Sequence, residues 1–508
     1  MMKGVMIQGT ASDVGKSLIV TALCKLFSNE GVKTAPFKSQ NMSNNSYVTI
    51  DGSEIGRAQG IQAEAARTEA TVWMNPILLK PQSDQDSEVV LLGKPLKTLS
   101  GSDYRELFYE EGIKVIESAL RQLEKNYELL ILEGAGSPVE MNLKDRELVN
   151  MKVAEMADVP VFLVADIDRG GIFASIVGTI ELLTKEERKR VKGIIINKFR
   201  GDFQLFNDGV KWIEHQTGIP VLGVLPYIHN HMIDAEDSLA IEEFRKKKKN
   251  GELEIAVIQL PYSSNISDIE PFLYEEDVCL RFVRNGHEFG RPDAIILPGT
   301  KSTINDLQFL KENGLFDKIL HFVHNGGFIV GICGGYQMLG KELIDESGVD
   351  TKGKVSKESG LSILDAITYF RSEKQTIRVR GNSRPQTGFK QVAIEGYEIH
   401  YGDTILLNET TASRLFQFES GRVEGYYGMG GRIVGTYLHH LFHNDDWRNQ
   451  WLNRVRKSVH LPLRDKVNIG NLKEQRFELL ASEMEKHLQW EKIKQIVSEW
   501  EGLNSEDD

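Results

Sequence analysis

At 508 residues the chain is too long for one ordinary hydrophobic core, so two or three domains are expected. Its 41% hydrophobic and 26% charged residues are those of a globular protein, and a net charge of −12 argues against a general nucleic-acid-binding surface. No apolar stretch is long enough to span a membrane, and three scattered cysteines, Cys24, Cys279 and Cys333, argue against a disulfide framework and for a reducing, cytoplasmic setting.

The N-terminus runs straight into a strand pattern, "GVMIQG", with no charged leader, so no secretory signal is expected. That strand ends in "GTASDVGKS", Gly9 to Ser17, and the helical pattern "LIVTALCKLF" follows. Strand, glycine-rich loop and helix are the context of a phosphate-binding loop. Its backbone N–H groups, here around Thr10 and Gly15, face phosphate oxygens, its lysine (Lys16) bridges phosphates, and its hydroxyl (Ser17) holds Mg²⁺. The loop is one residue longer than usual between Gly9 and Gly15.

Further apolar runs follow at Leu129–Leu132, Val159–Ala165, Ile194–Ile196 and Val221–Leu225, alternating with amphipathic stretches. Uninterrupted apolar strands separated by helical patterns predict a parallel sheet covered on both faces, with ligands at the strands' carboxyl ends. The strands end in the tags "EGAGSP", "DIDRGG" and "NKFRGD", so the chemistry is expected along that edge. The basic run "RKKKKN", Arg245–Asn250, reads as a solvated linker.

After it the α/β theme restarts with "LEIAVIQLP", "DAIILPGTKST", "GGFIVGICGGYQMLG" and "GRIVGTYLHH". Residues 350–386 read as loops or a β-rich excursion, and the polar, helical stretch beyond Asp445 as an extension ending in "NSEDD". The expected domains are therefore 1–245, 251–445 and a C-terminal helical extension, 446–508.

"GICGGYQ" places Cys333 between glycines directly after an apolar strand. A nucleophile on a tight strand-to-helix turn needs such small neighbours. Cys24 and Cys279 lack them and read as packing residues. A thiol nucleophile needs a base, and His439 and His440 end a strand downstream; only one of the pair can take that role. Backbone donors for an oxyanion are expected from the "LPGTKST" turn, at Gly299 and Thr300, and from the amide of Gly334.

The stretched loop resembles that of dethiobiotin synthetase and related amidoligases, which use ATP to activate a carboxylate. The resemblance implies that Glu133 holds Mg²⁺ and that Lys38 contacts phosphate or substrate. Asp51 or Glu54 could complete the Mg²⁺ shell, and the sequence does not choose between them. The second half resembles the class I glutamine amidotransferases, in which Cys and His release ammonia from glutamine. Those domains usually carry a glutamate two residues after the histidine, but neither His439 nor His440 is followed by one. The expectation is a Cys–His dyad without a third member.

Across nearly the whole chain, "FKSQNMSNNSYVTIDGSEIGRAQ", "NPILLKP", "LEGAGSP", "DIDRGGIFAS", "NKFRGD", "LPGTKSTINDL", "GICGGYQMLG" and "GTYLHHLF" resemble the cobyric acid synthases of the CobB/CobQ amidotransferase family. The resemblance implies a P-loop parallel-sheet domain followed by a class I amidotransferase-like α/β domain. It also implies amidation of the b, d, e and g carboxylates of adenosylcobyrinic acid a,c-diamide with glutamine, ATP and Mg²⁺. The family's histidine usually precedes a glycine, which assigns the base to His439 and leaves His440 in the glycine's place. Arg57, Lys80, Arg169 and Arg200 are candidate cations for the acidic corrinoid, and salt bridges within the fold account for them equally well. No nucleic acid or membrane partner is expected, and homo-oligomerisation is left open. The rivals are a cobyrinic acid a,c-diamide synthase, a partitioning-type ATPase switch without catalysis, and a catalytically dead scaffold.

Overall fold

The structure, a computed structural model, describes residues 3–81, 86–228, 252–351, 353–385, 389–408 and 414–503. The basic run at 245–250 and the acidic tail lie outside these residues. The chain divides into two compact units: residues 1–43, 53–236 and 471–508 form the first, and residues 44–52 and 237–470 the second.

The first unit is built on six parallel strands in the order Val221–Pro226, Val191–Phe199, Val161–Asp166, Lys3–Gly9, Leu129–Glu133, Thr34–Phe37. Five were expected; the sixth, "TAPF", is short and carries a proline, so its pattern is weak. Successive side chains of a strand point to opposite faces, and the sheet sorts them accordingly. Met6, Leu130, Leu132, Leu163, Ile194 and Ile196 join one buried core, while Val5, Ile7, Leu129, Ile131, Val164 and Ile195 join the other. A sheet covered on both faces requires this continuous apolar run. A smaller four-stranded sheet, Gln40–Met42 with Ile77–Pro81, Asp86–Leu91 and Lys94–Ser100, belongs to the same unit.

The expected C-terminal extension does not stand apart. Helix Asp445–Ser458 buries Trp447, Trp451, Leu452 and Val455 in the core of the second unit. Its Arg448 and Arg456 are fully buried against Glu275 and Asp277. Helices Ile469–His487 and Trp490–Glu499 then add Phe477, Leu480, Met484, Trp490 and Ile493 to a core of the first unit. The apolar face of each helix is satisfied by a unit, so the polar composition that suggested an extension describes only their outer faces.

The second unit has five parallel strands in the order Val278–Val283, Leu253–Ile258, Ala294–Leu297, Phe328–Ile332, Ile433–Thr436. Antiparallel strands extend the sheet beyond Ile433–Thr436, beginning with Val423–Gly428 and Arg414–Phe418. The stretch expected as loops or a β-rich excursion supplies the long strand Ala366–Ser383, paired with Ala393–Leu406.

Candidate active sites

In the first unit the loop after strand Lys3–Gly9 turns into helix Lys16–Asn29. Gly15 stands at φ 96°, and a Cβ there would lie 2.2 Å from Asn197 Nδ2, so both backbone and space demand glycine. Asn197, from the "NKFRGD" tag, donates to Val14 O at 2.8 Å and pins the loop from the next strand end but one. Thr10 opens the loop, its N–H bonded to Val164 O. Lys16 Nζ donates to Ala11 O at 3.0 Å and to Gly136 O at 3.1 Å, joining the loop to "EGAGSP".

Glu133, at the end of its strand, is almost wholly buried and gathers the rest. Its Oε1 accepts from Ser17 Oγ at 2.8 Å and from Lys38 Nζ at 2.9 Å, and its Oε2 accepts from Gln62 Nε2 at 2.7 Å. Burial alone would push this carboxyl up, but Lys38, Gln62 and Ser17 hold it below the usual carboxylate range. The structure thus brings Lys16, Ser17, Lys38 and Glu133 together. A hydroxyl and an ionised carboxylate sharing one contact are oxygen donors of the kind Mg²⁺ takes.

Glu54, a candidate for the Mg²⁺ shell, and Lys80, read as either a corrinoid contact or a salt bridge within the fold, form a buried ion pair with each other. Burying either charge alone is costly, and the pairing answers that cost. Asp51 belongs to the segment 44–52 of the second unit and accepts from Thr49 Oγ1.

In the second unit Cys333 follows strand Phe328–Ile332 at φ 51°, ψ −110°, a strained conformation for a non-glycine residue at the start of helix Gly334–Met338. Sγ lies 3.4 Å from Ile399 O. Strand Ile433–Thr436 runs parallel beside the cysteine's strand and delivers His439 just past its end. Cys333 is near enough to His439 to bear on the protonation of the imidazole. The turn carrying Gly299 closes over both residues: a Cβ on Gly299 would lie 3.0 Å from His439 Cε1 and 3.6 Å from Cys333 Cβ. The Gly334 amide opens the helix beside Thr300, whose N lies 3.2 Å from where a Cβ on Gly334 would stand.

His439 Nδ1 donates to Asp268 Oδ2 at 2.7 Å, and Asp268 Oδ1 accepts the backbone N–H of His440 at the same distance. The expected dyad is therefore corrected to a Cys–His–Asp arrangement. Asp268 comes from the turn Ile266–Tyr274, on the N-terminal side of the cysteine. Burial of His439 disfavours its charged form, yet Asp268 and then Cys333 raise it to about 10.

Two domain families match this chain: residues 5–239 match the CobQ/CobB/MinD/ParA nucleotide binding domain, and residues 254–447 the CobB/CobQ-like glutamine amidotransferase domain. A cobyric acid synthase of Geobacillus is 48% identical over 494 residues, covering 97% of each chain. One of Desulforamulus reducens is 46% identical over 508 residues, covering 98% of this chain and 99% of its own. The chain belongs to the cobyric acid synthase family. It is an ATP-dependent amidoligase with a glutamine amidotransferase domain, and the rival readings are not favoured.

His440, which the resemblance sets where a glycine is expected, sits at φ 64°, in the left-handed region that glycine enters most readily. Of the remaining cations, Arg57 is buried, Arg200 pairs with Asp168 and stacks on Tyr227, and exposed Arg169 lies 3.6 Å from Asp13 in the phosphate loop. Sequence reasoning missed Asp268, Gln62 and Asn197. Asn197 stood in a strand-end tag; no signal marked Asp268, in the mixed stretch "NISDIEPF", or Gln62.

Proposed function

We propose that this chain converts adenosylcobyrinic acid a,c-diamide to adenosylcobyric acid in cobalamin biosynthesis, amidating the b, d, e and g carboxylates with ammonia from glutamine and energy from ATP. The first unit is the ligase and the second the glutaminase. The observation that carries the reading is the Asp268–His439–Cys333 array in a chain that also holds Lys16, Ser17 and Glu133 in one cluster.

In the second unit Cys333 Sγ attacks the side-chain carbonyl of glutamine with its proton already held by His439. Asp268 keeps the imidazole oriented and favours its protonated form. The amides of Gly299 and Gly334 face the developing oxyanion. His439 gives its proton to the departing ammonia, then draws one from the water that cleaves the γ-glutamyl thioester.

In the first unit Lys16 and the loop amides hold the ATP phosphates so that a corrin carboxylate attacks the γ-phosphorus in line and ADP leaves. Ammonia then attacks the acyl carbon of the acyl phosphate and expels phosphate. Ser17 and Glu133 would hold Mg²⁺, which supplies charge neutralisation on the phosphates. Lys38, held by Glu133, adds a second cation to that cluster. The test is mass spectrometry of cobyrinic acid a,c-diamide incubated with enzyme, ATP and glutamine. Successive unit mass losses, up to one for each of the four carboxylates named, are expected; an unchanged corrinoid mass would overturn the assignment.

A further inference from the structure

We infer that residues 44–52, which interrupt the first unit in sequence, are a positioning strap for His439 and make glutamine hydrolysis responsive to the state of the ligase. The inference rests on the reading of Cys333 and His439 as a glutaminase. The chain leaves the first unit after Ser43 and re-enters it at Ser53, and the nine residues between belong to the second.

The contacts of this segment converge on the base. The backbone N–H of Ser46 donates to Asn265 Oδ1 at 3.3 Å. An amide whose oxygen is engaged in this way presents its nitrogen on the other side, and Asn265 Nδ2 lies 3.5 Å from His439 Nε2. Tyr397 Oη donates to Ser46 O at 3.4 Å, while its ring stacks on the His439 imidazole at 5.2 Å between centroids and 19° between planes. Val48 is buried with Tyr397 and Ile399, and the carbonyl of Ile399 lies against Cys333 Sγ. Arg378 Nη1 donates to Val48 O at 3.4 Å.

One short strand, Ser46–Val48, therefore holds the amide beside the catalytic nitrogen and the ring against the imidazole face, and it packs on the residue beside the thiol. Asn265 is itself at φ 54°, in the left-handed region that asparagine tolerates better than most residues. A segment that merely filled space would need apolar contacts alone; this one directs a backbone donor and a backbone acceptor at the two residues flanking His439. Both ends of the strap continue into first-unit chain, with Lys38 shortly before it and Glu54 shortly after. A displacement of either end moves Ser46, and with it the support of the imidazole.

The test uses the full chain and reads three activities: glutamate release from glutamine, the same release with ATP and cobyrinic acid a,c-diamide added, and amidation driven by ammonium. Ser46→Pro deletes the donor N–H and Ser46→Ala keeps it. Ser46→Pro is expected to lower glutaminase kcat on the order of 10²-fold at unchanged KM, because small misplacements of a base cost that much. It should also abolish the response to ATP and corrinoid while leaving ammonium-driven amidation at its wild-type rate. Ser46→Ala should behave as wild type. Tyr397→Phe, which keeps the ring and removes the bond to Ser46, should weaken the response and guards against misfolding of the proline variant. Retention of both kcat and response in Ser46→Pro overturns the inference, as does a parallel loss of ammonium-driven amidation in both variants. A wild-type enzyme that cannot amidate the corrinoid with ammonium overturns the functional reading instead.

Discussion

Asp268 and His439 stand 171 residues apart in sequence and 2.7 Å apart in the structure, carboxylate to Nδ1. The bond occupies Nδ1 and orients the ring, and the second carboxylate oxygen holds the backbone N–H of His440. Asp268→Asn keeps the shape and loses the charge. Glutaminase turnover is expected to fall on the order of 10³–10⁴-fold, as in other triads that lose this carboxylate, with ammonium-driven amidation unchanged. Glutamate release and corrinoid amidation in parallel assays check it; near-normal glutamate release would remove Asp268 from the mechanism.

Cys333→Ala should abolish glutamine-dependent amidation entirely, and ammonium should restore it, because the ligase cluster contains no residue of the cysteine's neighbourhood. Corrinoid amidation surviving with glutamine as the sole nitrogen source would contradict the assignment.

Glu133→Gln addresses the other site. Amidation should fall roughly 10²–10³-fold with either nitrogen source, while unstimulated glutaminase persists. The variant leaves Lys38 buried beside a neutral amide, which should cost about 3 kcal/mol of stability in urea unfolding. Loss of glutaminase with retained amidation would reverse the roles given to the two units.

The protonation of His439 predicts a pH dependence with a definite sign. A group raised on folding from 6.5 to about 10 binds its proton more tightly in the folded state. Its contribution is complete below about pH 6.5, declines as pH rises, and is gone above about 10. The stability difference between wild type and Asp268→Asn in urea should therefore be larger at pH 6 than at pH 9.5. A gap that widens with pH would show that Asp268 does not stabilise the imidazolium.

His440→Gly tests which histidine is the base. The substitution relieves the left-handed strain of about 1 kcal/mol and costs a similar amount in backbone entropy, so stability should stay within about 1 kcal/mol and glutaminase should persist. His439→Ala should eliminate it. The reverse outcome in glutaminase assays would move the base to His440.

The phosphate loop, the cysteine elbow and the parallel strands were all legible because each is a local pattern. An apolar run buried on both faces leaves an unbroken stretch of hydrophobic residues, and a tight strand-to-helix turn leaves glycines. The Glu54–Lys80 pair was not legible for the opposite reason: it depends on strands from separate parts of the chain, and a lone charge in sequence looks the same whether it meets a ligand or a neighbour. The C-terminal helices were misplaced because their polar faces dominate the composition, while Phe477, Met484 and Ile493 are spaced to bury one side each.

The sequence by itself determined that this chain carries a nucleotide loop, a cysteine set between glycines on a strand-to-helix turn and two α/β halves, since short-range spacing is enough to specify each. Only the tertiary structure decided that His439 is held by Asp268, that Gln62 and Lys38 share Glu133 with Ser17, and that residues 44–52 leave their neighbours to meet Asn265 and Tyr397. Those relationships are set by strand register and by burial, which bring together side chains that no local pattern connects.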